Sequence, residues 1–303
     1  AGGDEPKEVG RALYHWLFPG PIHTHLEKTV AVARDRGAKV RIRLRVEAEE
    51  IARLPLEFLY RPQPSYFLAT NPGTVLSRYL QAPWPGEQVR RRMGALHLLA
   101  IVADVPGLPR LDAEEWEGIL QEALAKPLAA GLMTMETVKR ATRREIRKAL
   151  LKQKPDLVQL VGHGAYRGGK GYVALVDEDT GGIWEVDDEQ FAGLFMGFDD
   201  HLGLICLAAC KSAASEDPQG FRGIAPKLVG RGVPAVVAMQ YKVGIPVAKV
   251  FLEEFYAAVA EGKPVDWATQ TARNQVSLEF GLDGYEFATP VLYMRARDGE
   301  VFG

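Results

Sequence analysis

From residue 94 onward the chain repeats one pattern, a short apolar run followed by an amphipathic stretch, and this constrains the fold more than any single motif. The runs are "ALHLLAIVA", "LMTMETV", "DLVQLVG", "LGLICLAA" and "VPAVVAM", each β-branched or leucine-rich. Helical patterns lie near residues 112–130, 142–152, 187–195, 221–231, 246–261 and 264–279. Alternation of this kind predicts an α/β fold, with a largely parallel sheet between helices. "GYVALVD" and "GGIWEV", separated by "EDTGG", read as a hairpin inserted after the third strand.

The N-terminal portion is mixed. Residues 7–36 read as helical segments interrupted at "FPGP", and "KVRIRLRVE" alternates basic with apolar residues as a half-exposed strand does. "LPLEFLY" and "TVLSRYL" add strand-like runs, and "QAPWPGEQVRRRMG" has the Pro, Gly and charge of a connection. The expected organisation is therefore a mixed α/β portion over 1–93 and an α/β domain over 94–303. The leading "AGGDEP" reads as a flexible end.

Composition narrows the function classes. Lys and Arg number 37 against 39 Asp and Glu, and the basic residues look scattered apart from Arg90–Arg92, so no nucleic-acid partner is expected. No run approaches the roughly 18 apolar residues of a membrane span, and no signal-peptide pattern opens the chain, so a cytoplasmic protein without a membrane partner is expected. Cys206 and Cys210 are four apart on a strand and its following loop, an awkward geometry for a mutual bridge, and reduced thiols fit a cytoplasmic setting. His23 and His25 in "HTH" lack a third ligand nearby and read as loop residues; no metal is expected.

The stretch "LVQLVGHGAYRGGKGYVALVD" admits two chemistries. Gly164, Gly169 and Lys170 have the spacing of a phosphate-binding loop, but Gly171 stands where a hydroxyl should hold magnesium, and "YVALVD" alternates like a strand rather than opening a helix. The alternative centres on His163. It follows "DLVQLVG" directly, at the carboxyl end of a parallel strand, where open α/β sheets present reactive groups. A histidine capping a strand with satisfied hydrogen bonds is the competing reading.

Cys210 also follows an apolar run, "LGLICLAA", so neighbouring strands would deliver an imidazole and a thiol to one edge. Histidine precedes cysteine by 47 residues, close to the roughly fifty-residue spacing of caspases. An adjacent imidazole helps hold cysteine as thiolate and can protonate a leaving amine. Burial as a small hydrophobe is the other explanation for a cysteine, and it suits Cys206 inside the strand better.

"LVGHGAY", "LAACKSA", "GRGVPAVVAMQYKV" and "FLEEFYAAVAEGKPVDWATQTAR" together resemble the CHAT domain, the caspase-like and separase-like cysteine peptidase domain of many bacterial proteins. "LPLEFLY", "TVLSRYL" and "LHLLAIVADVPGLPRLDAEEWEGIL" extend the likeness upstream, from about residue 10 to about 295. The resemblance implies a caspase-like, mainly parallel sheet flanked by helices, and a cysteine endopeptidase without cofactor. It implies His163 as catalytic histidine, Cys210 as nucleophile, and the amides of Gly164 and Cys210 as the oxyanion hole. Glycine at 164 lets a substrate carbonyl approach the main chain. Ala208 stands where many members have Asn, so any help that Asn gives in positioning the loop is absent.

The specificity pocket is expected among residues at neighbouring strand ends, which include Asp104 and Gln240. An acid there would favour cleavage after Lys or Arg; an exposed loop carboxylate or a helix-entry cap is the plainer role for Asp104. The expected partners are a protein or peptide substrate and a candidate activating regulatory protein. A catalytically silent caspase-like binding module, or an acyl hydrolase using the same dyad on a non-peptide substrate, stay open as alternatives.

Overall fold

In the computed structural model, which describes residues 5–81, 94–198, 200–209 and 220–302, the five apolar runs are adjacent parallel strands. Residues 82–93, which include Arg90–Arg92 and most of the expected connection, lie outside the described residues, as does Cys210. In chain order the strands are β1 (Val40–Leu44), β2 (Tyr60–Arg61), β3 (Tyr66–Phe67), β4 (Thr74–Tyr79), β5 (Leu96–Val102), β6 (Met133–Val138), β7 (Leu157–Gly162), β8 (Gly164–Arg167), β9 (Lys170–Val176), β10 (Ile183–Asp187), β11 (Leu204–Ala209), β12 (Ala235–Met239) and β13 (Pro290–Met294). The helices are α1 (Glu5–Leu17), α2 (Gly20–Asp35), α3 (Glu49–Ala52), α4 (Ala113–Ala123), α5 (Ala125–Ala129), α6 (Arg143–Gln153), α7 (Asp188–Gly193), α8 (Gly220–Gly230), α9 (Ile245–Ala260) and α10 (Val265–Phe280).

An eight-stranded sheet runs in the order β1-β4-β13-β12-β11-β7-β5-β6. Every described pairing in it is parallel except β12 with β13. The expected mainly parallel, caspase-like α/β architecture is thus the one observed. The boundary expected at residue 93 falls between strands of one sheet, because β1 and β4 join its edge through β13.

Burial on both faces explains why the central strands lack polar alternation. Along β5, Leu96, Leu98, Ala100 and Val102 enter one core with Trp116 and Leu120 of α4 and Phe251 and Phe255 of α9. Leu99 and Ile101 enter the opposite core with Ile146 and Leu150 of α6 and Ile224 and Leu228 of α8. Each large side chain removed from water contributes about 1.5–3 kcal/mol before entropy is counted. Polar residues set the helix starts: Asp112 accepts from the Glu114 and Glu115 amides, Thr142 caps α6, and Asp187 with Gln190 forms a capping box on α7.

Three sequence expectations are corrected. "LPLEFLY" is not a strand run: Leu56–Phe58 form a 3-10 turn, because Glu57 points into the core toward a cation. His23 and His25 lie in α2, not in a loop, and His23 Nδ1 meets the Tyr14 hydroxyl at 3.0 Å. The helix expected over 112–130 breaks at Leu124 into α4 and α5. No described helix is long and apolar enough to cross a membrane.

Candidate active site

The glycine-rich stretch after β7 is a hairpin. β8 pairs antiparallel with β9 from Gly164↔Val173 to Arg167↔Lys170, leaving Gly168 and Gly169 as a two-residue turn. Their φ values of 57° and 79° are both left-handed, as a type I′ turn demands and glycine supplies without strain. No helix begins here, and Lys170 faces Asp187 at 3.6 Å, so the phosphate-loop geometry is missing.

β7 ends at Gly162, where a Cβ would sit 3.3 Å from that of Ala103, and His163 follows at the turn from β7 into β8. The register of the sheet is informative at this point. Gly162, the residue before His163, is the partner of Ala209, the residue before Cys210. Two adjacent parallel strands therefore end in step immediately ahead of the two residues singled out in the sequence.

His163 is 6% exposed, and its Nε2 has no hydrogen-bond partner among the described residues. The Pro109 carbonyl accepts a hydrogen bond from the ring, and the Asp104 carboxylate acts on it through space. Burial outweighs both and lowers the imidazole's pKa from its ordinary 6.5, so the ring is neutral at pH 7 and able to take a proton. The loop carrying Pro109 is itself held by Asp104, whose Oδ1 accepts the Leu111 amide at 3.0 Å. It is also held by Ile183 of β10, which packs over Gly107.

This arrangement fixes a titration. In a Cys210→Ala protein, NMR should place the His163 pKa below 6.5. Asp104→Asn should lower it further by removing a charge that favours the imidazolium. An unchanged value in Asp104→Asn would remove Asp104 from the ring's environment. The linked stability has a defined sign: the unfolded chain takes up this proton first, so stability falls as pH drops through 6.5 toward the folded value and is retained above it.

Of the other sequence candidates, Asp104 and Gly164 lie beside His163, and Gln240 lies apart from it. Asp104 lies at the carboxyl end of β5, half-buried and bonded within its own loop. Gly164 is buried and paired with Val173. Gln240, after β12, is not a pocket wall: it is 1% exposed, and its Nε2 donates to Glu57 Oε2 at 3.1 Å and to the Ala288 carbonyl at 2.6 Å. Cys206 is buried, and burial pushes its thiol up to about 12. Among the described residues no group of three His, Cys, Asp or Glu is placed to hold a metal.

Sequence reasoning missed the polar cluster that fixes the N-terminal strands to the sheet. Arg78 of β4 forks onto Glu57, with Nε 3.0 Å from Oε1 and Nη2 2.7 Å from Oε2, and it also donates to the Ala52 and Leu54 carbonyls. Burial alone would lower the Arg78 pKa, but the Glu57 carboxylate holds it above its ordinary value. Arg273 of α10, wholly buried, donates to the Leu76 and Pro290 carbonyls, and burial brings its pKa down to about 10. One acid inside "LPLEFLY" and one base inside "TVLSRYL" were the available signal.

A mainly parallel sheet between helices, with a buried histidine just past the carboxyl end of a central strand, places the chain in the open-sheet α/β class. Residues 7–279 match the CHAT domain, and the chain belongs to that family. Among solved structures, the separase–securin complex of Saccharomyces cerevisiae is similar in two determinations. In one, at 3.0 Å, the TM-score is 0.38 and the identity 15%, over 80% of this chain and 14% of that one. In the other, at 2.6 Å, they are 0.37 and 14%, over 66% and 12%. The RcsB response regulator of Salmonella typhimurium gives a TM-score of 0.31 at 11% identity, over 60% and 69%. At those scores the likenesses bear on neither substrate nor mechanism. The comparison with curated proteins gives no match.

Proposed function

We propose that this chain is a cysteine endopeptidase that uses His163 and Cys210 and passes through an acyl-enzyme. The register that pairs Gly162 with Ala209, one residue ahead of each, is the observation that carries the reading. A neutral His163 accepts the Cys210 proton, and the thiolate sulfur attacks the peptide carbonyl to form a C–S bond. The amides of Gly164 and Cys210 receive the developing oxyanion. The imidazolium then protonates the departing amine as the C–N bond breaks, and the neutral ring activates the water that hydrolyses the thioester. His163 serves this cycle only if one ring nitrogen stays free for the thiol, which is supported by an Nε2 with no partner among the described residues.

Substrate choice is assigned to Asp104, at the carboxyl end of β5 next to β7, as the acceptor for a Lys or Arg side chain. The natural partners are a protein substrate and an activating regulatory protein, in a cytoplasmic setting. Digestion of a denatured proteome with mapped cut sites tests the whole reading. Cuts should fall after Lys and Arg, and Asp104→Ala should weaken basic substrates about ten- to a hundredfold more than neutral ones, as loss of a charge-assisted contact does. A map dominated by acidic or apolar residues removes Asp104 from the pocket and leaves the dyad standing. No cuts from folded protein favour the silent scaffold.

A further inference from the structure

The sixteen-residue segment "KRATRREIRKALLKQK" at 139–154 contains a single acid, in a chain whose charges nearly balance as a whole. It is the stretch that a reading of scattered basic residues overlooked, and the fold displays it on one surface. Ile146 and Leu150 turn α6 inward, both fully buried. Arg144, Lys148, Leu151 and Lys152 recur at the spacing of the opposite face. With Arg143 and Glu178 they line a shallow groove of about 620 Å³.

The cations on this face are only partly neutralised. Glu178 serves Arg143 at 3.6 Å and Arg144 at 3.7 Å, while also accepting the Arg144 amide. Lys148 meets Glu145 at 3.7 Å, and those side chains are largely exposed, so the pair contributes little. Arg147 is different: it donates to the Leu194 carbonyl at 2.8 Å and lies over the Phe198 ring, so it belongs to the fold. Leu151, 61% exposed, lines the same groove and offers an apolar contact that a phosphate backbone has no group to meet. Among the described residues no aromatic ring lines the groove to stack a base, and the Trp184 ring beside it is engaged by the Arg143 guanidinium at 5.8 Å.

We propose that the outer face of α6 is a docking surface for an acidic segment of a partner protein, whose carboxylates meet Arg144, Lys148 and Lys152 while an apolar side chain covers Leu151. The charge selects an anion, and the leucine selects a peptide over a nucleic acid. The proposal stands apart from the peptidase reading.

Fluorescence anisotropy on the full chain carrying His163→Ala, which keeps any cleavage out of the measurement, tests it. The probe is a labelled peptide with a central Leu flanked on each side by two Glu and two Asp; controls are its Gln/Asn counterpart and a short single-stranded oligonucleotide. The acidic peptide should bind about tenfold or more tightly than the neutral one and weaken as salt rises. Arg144→Glu with Lys148→Glu should cost about tenfold or more, and Leu151→Ser about fivefold for the peptide with no change for the oligonucleotide. All three side chains are exposed, so the variants should fold, and matched circular dichroism checks this. Affinity within about twofold after the charge reversal overturns the proposal. So does an oligonucleotide that binds as tightly as the peptide, which would make the face a general polyanion site, and so does the absence of binding by the acidic peptide.

Discussion

Replacing either Cys210 or His163 by alanine should lower peptide cleavage by at least about 10⁴-fold, and the double replacement should be little worse than either single one. The two act as a unit: without the imidazole the thiol is seldom ionised, and without the thiol the imidazole has nothing to activate. Native-state alkylation separates this chemistry from a coincidence of sequence. Cys206 is an internal control, since it is 3% exposed with its thiol pushed up to about 12. At pH 7 its thiolate fraction is about 10⁻⁵, so a haloacetamide should leave it untouched. Cys210 should be labelled quickly in the parent and slowly in His163→Ala, and denaturation should equalise the two cysteines. The tryptic fragment Gly171–Lys211 carries both, and fragmentation within it locates the label. Parental cleavage by Cys210→Ala, or equal slow labelling of both thiols in the native protein, would point to a binding module.

The central sheet was legible because its strands are buried on both faces, so "DLVQLVG" and "VPAVVAM" could be recognised as mainly apolar runs without polar alternation, Gln159 being the one polar residue inside β7. His163 was legible for the same reason, as the first polar residue beyond such a run. The partners that tune it were not. Pro109 acts through a backbone carbonyl, which no residue type advertises, and Asp104 acts on the ring through space from a loop that only the folded chain brings beside it. Gln240 misled because a strand's carboxyl end can face the interior as well as a cleft; here its amide holds Glu57 and Ala288. The strand-like reading of "LPLEFLY" failed on one residue, since Glu57 sits in the core to meet Arg78, roughly 70 Å of extended chain away along the sequence.

Breaking that pair should have the largest effect on stability. Arg78 and Glu57 are 4% and 1% exposed, so removing one leaves the other charged in a medium that cannot solvate it. Glu57→Ala should cost about 3–5 kcal/mol, because it strands the Arg78 guanidinium and deprives the Gln240 amide of an acceptor. Arg78→Met should cost at least as much, since it also leaves the Ala52 and Leu54 carbonyls without their donor. The pair is not intrinsically worth the sum of these losses. The combined Glu57→Leu and Arg78→Met protein should regain part of the deficit by replacing two buried charges with apolar volume, while the Gln240 amide and the two carbonyls stay underserved. Urea unfolding of the parent, Glu57→Leu, Arg78→Met and the double variant gives the coupling free energy directly, provided the slope against denaturant is the same in all four. The N-terminal strands are expected to respond first, because Arg78 with Tyr293 is one of two register pairs that join β4 to β13 among the described residues, the other being Tyr79 with Met294. Hydrogen exchange should therefore show β1 and β4 losing protection in Glu57→Ala while β5 and β7 keep theirs, as a locally stabilised edge of the sheet would. Single variants each within about 1 kcal/mol of the parent would mean that water reaches the pair and that the edge is held by its apolar contacts alone.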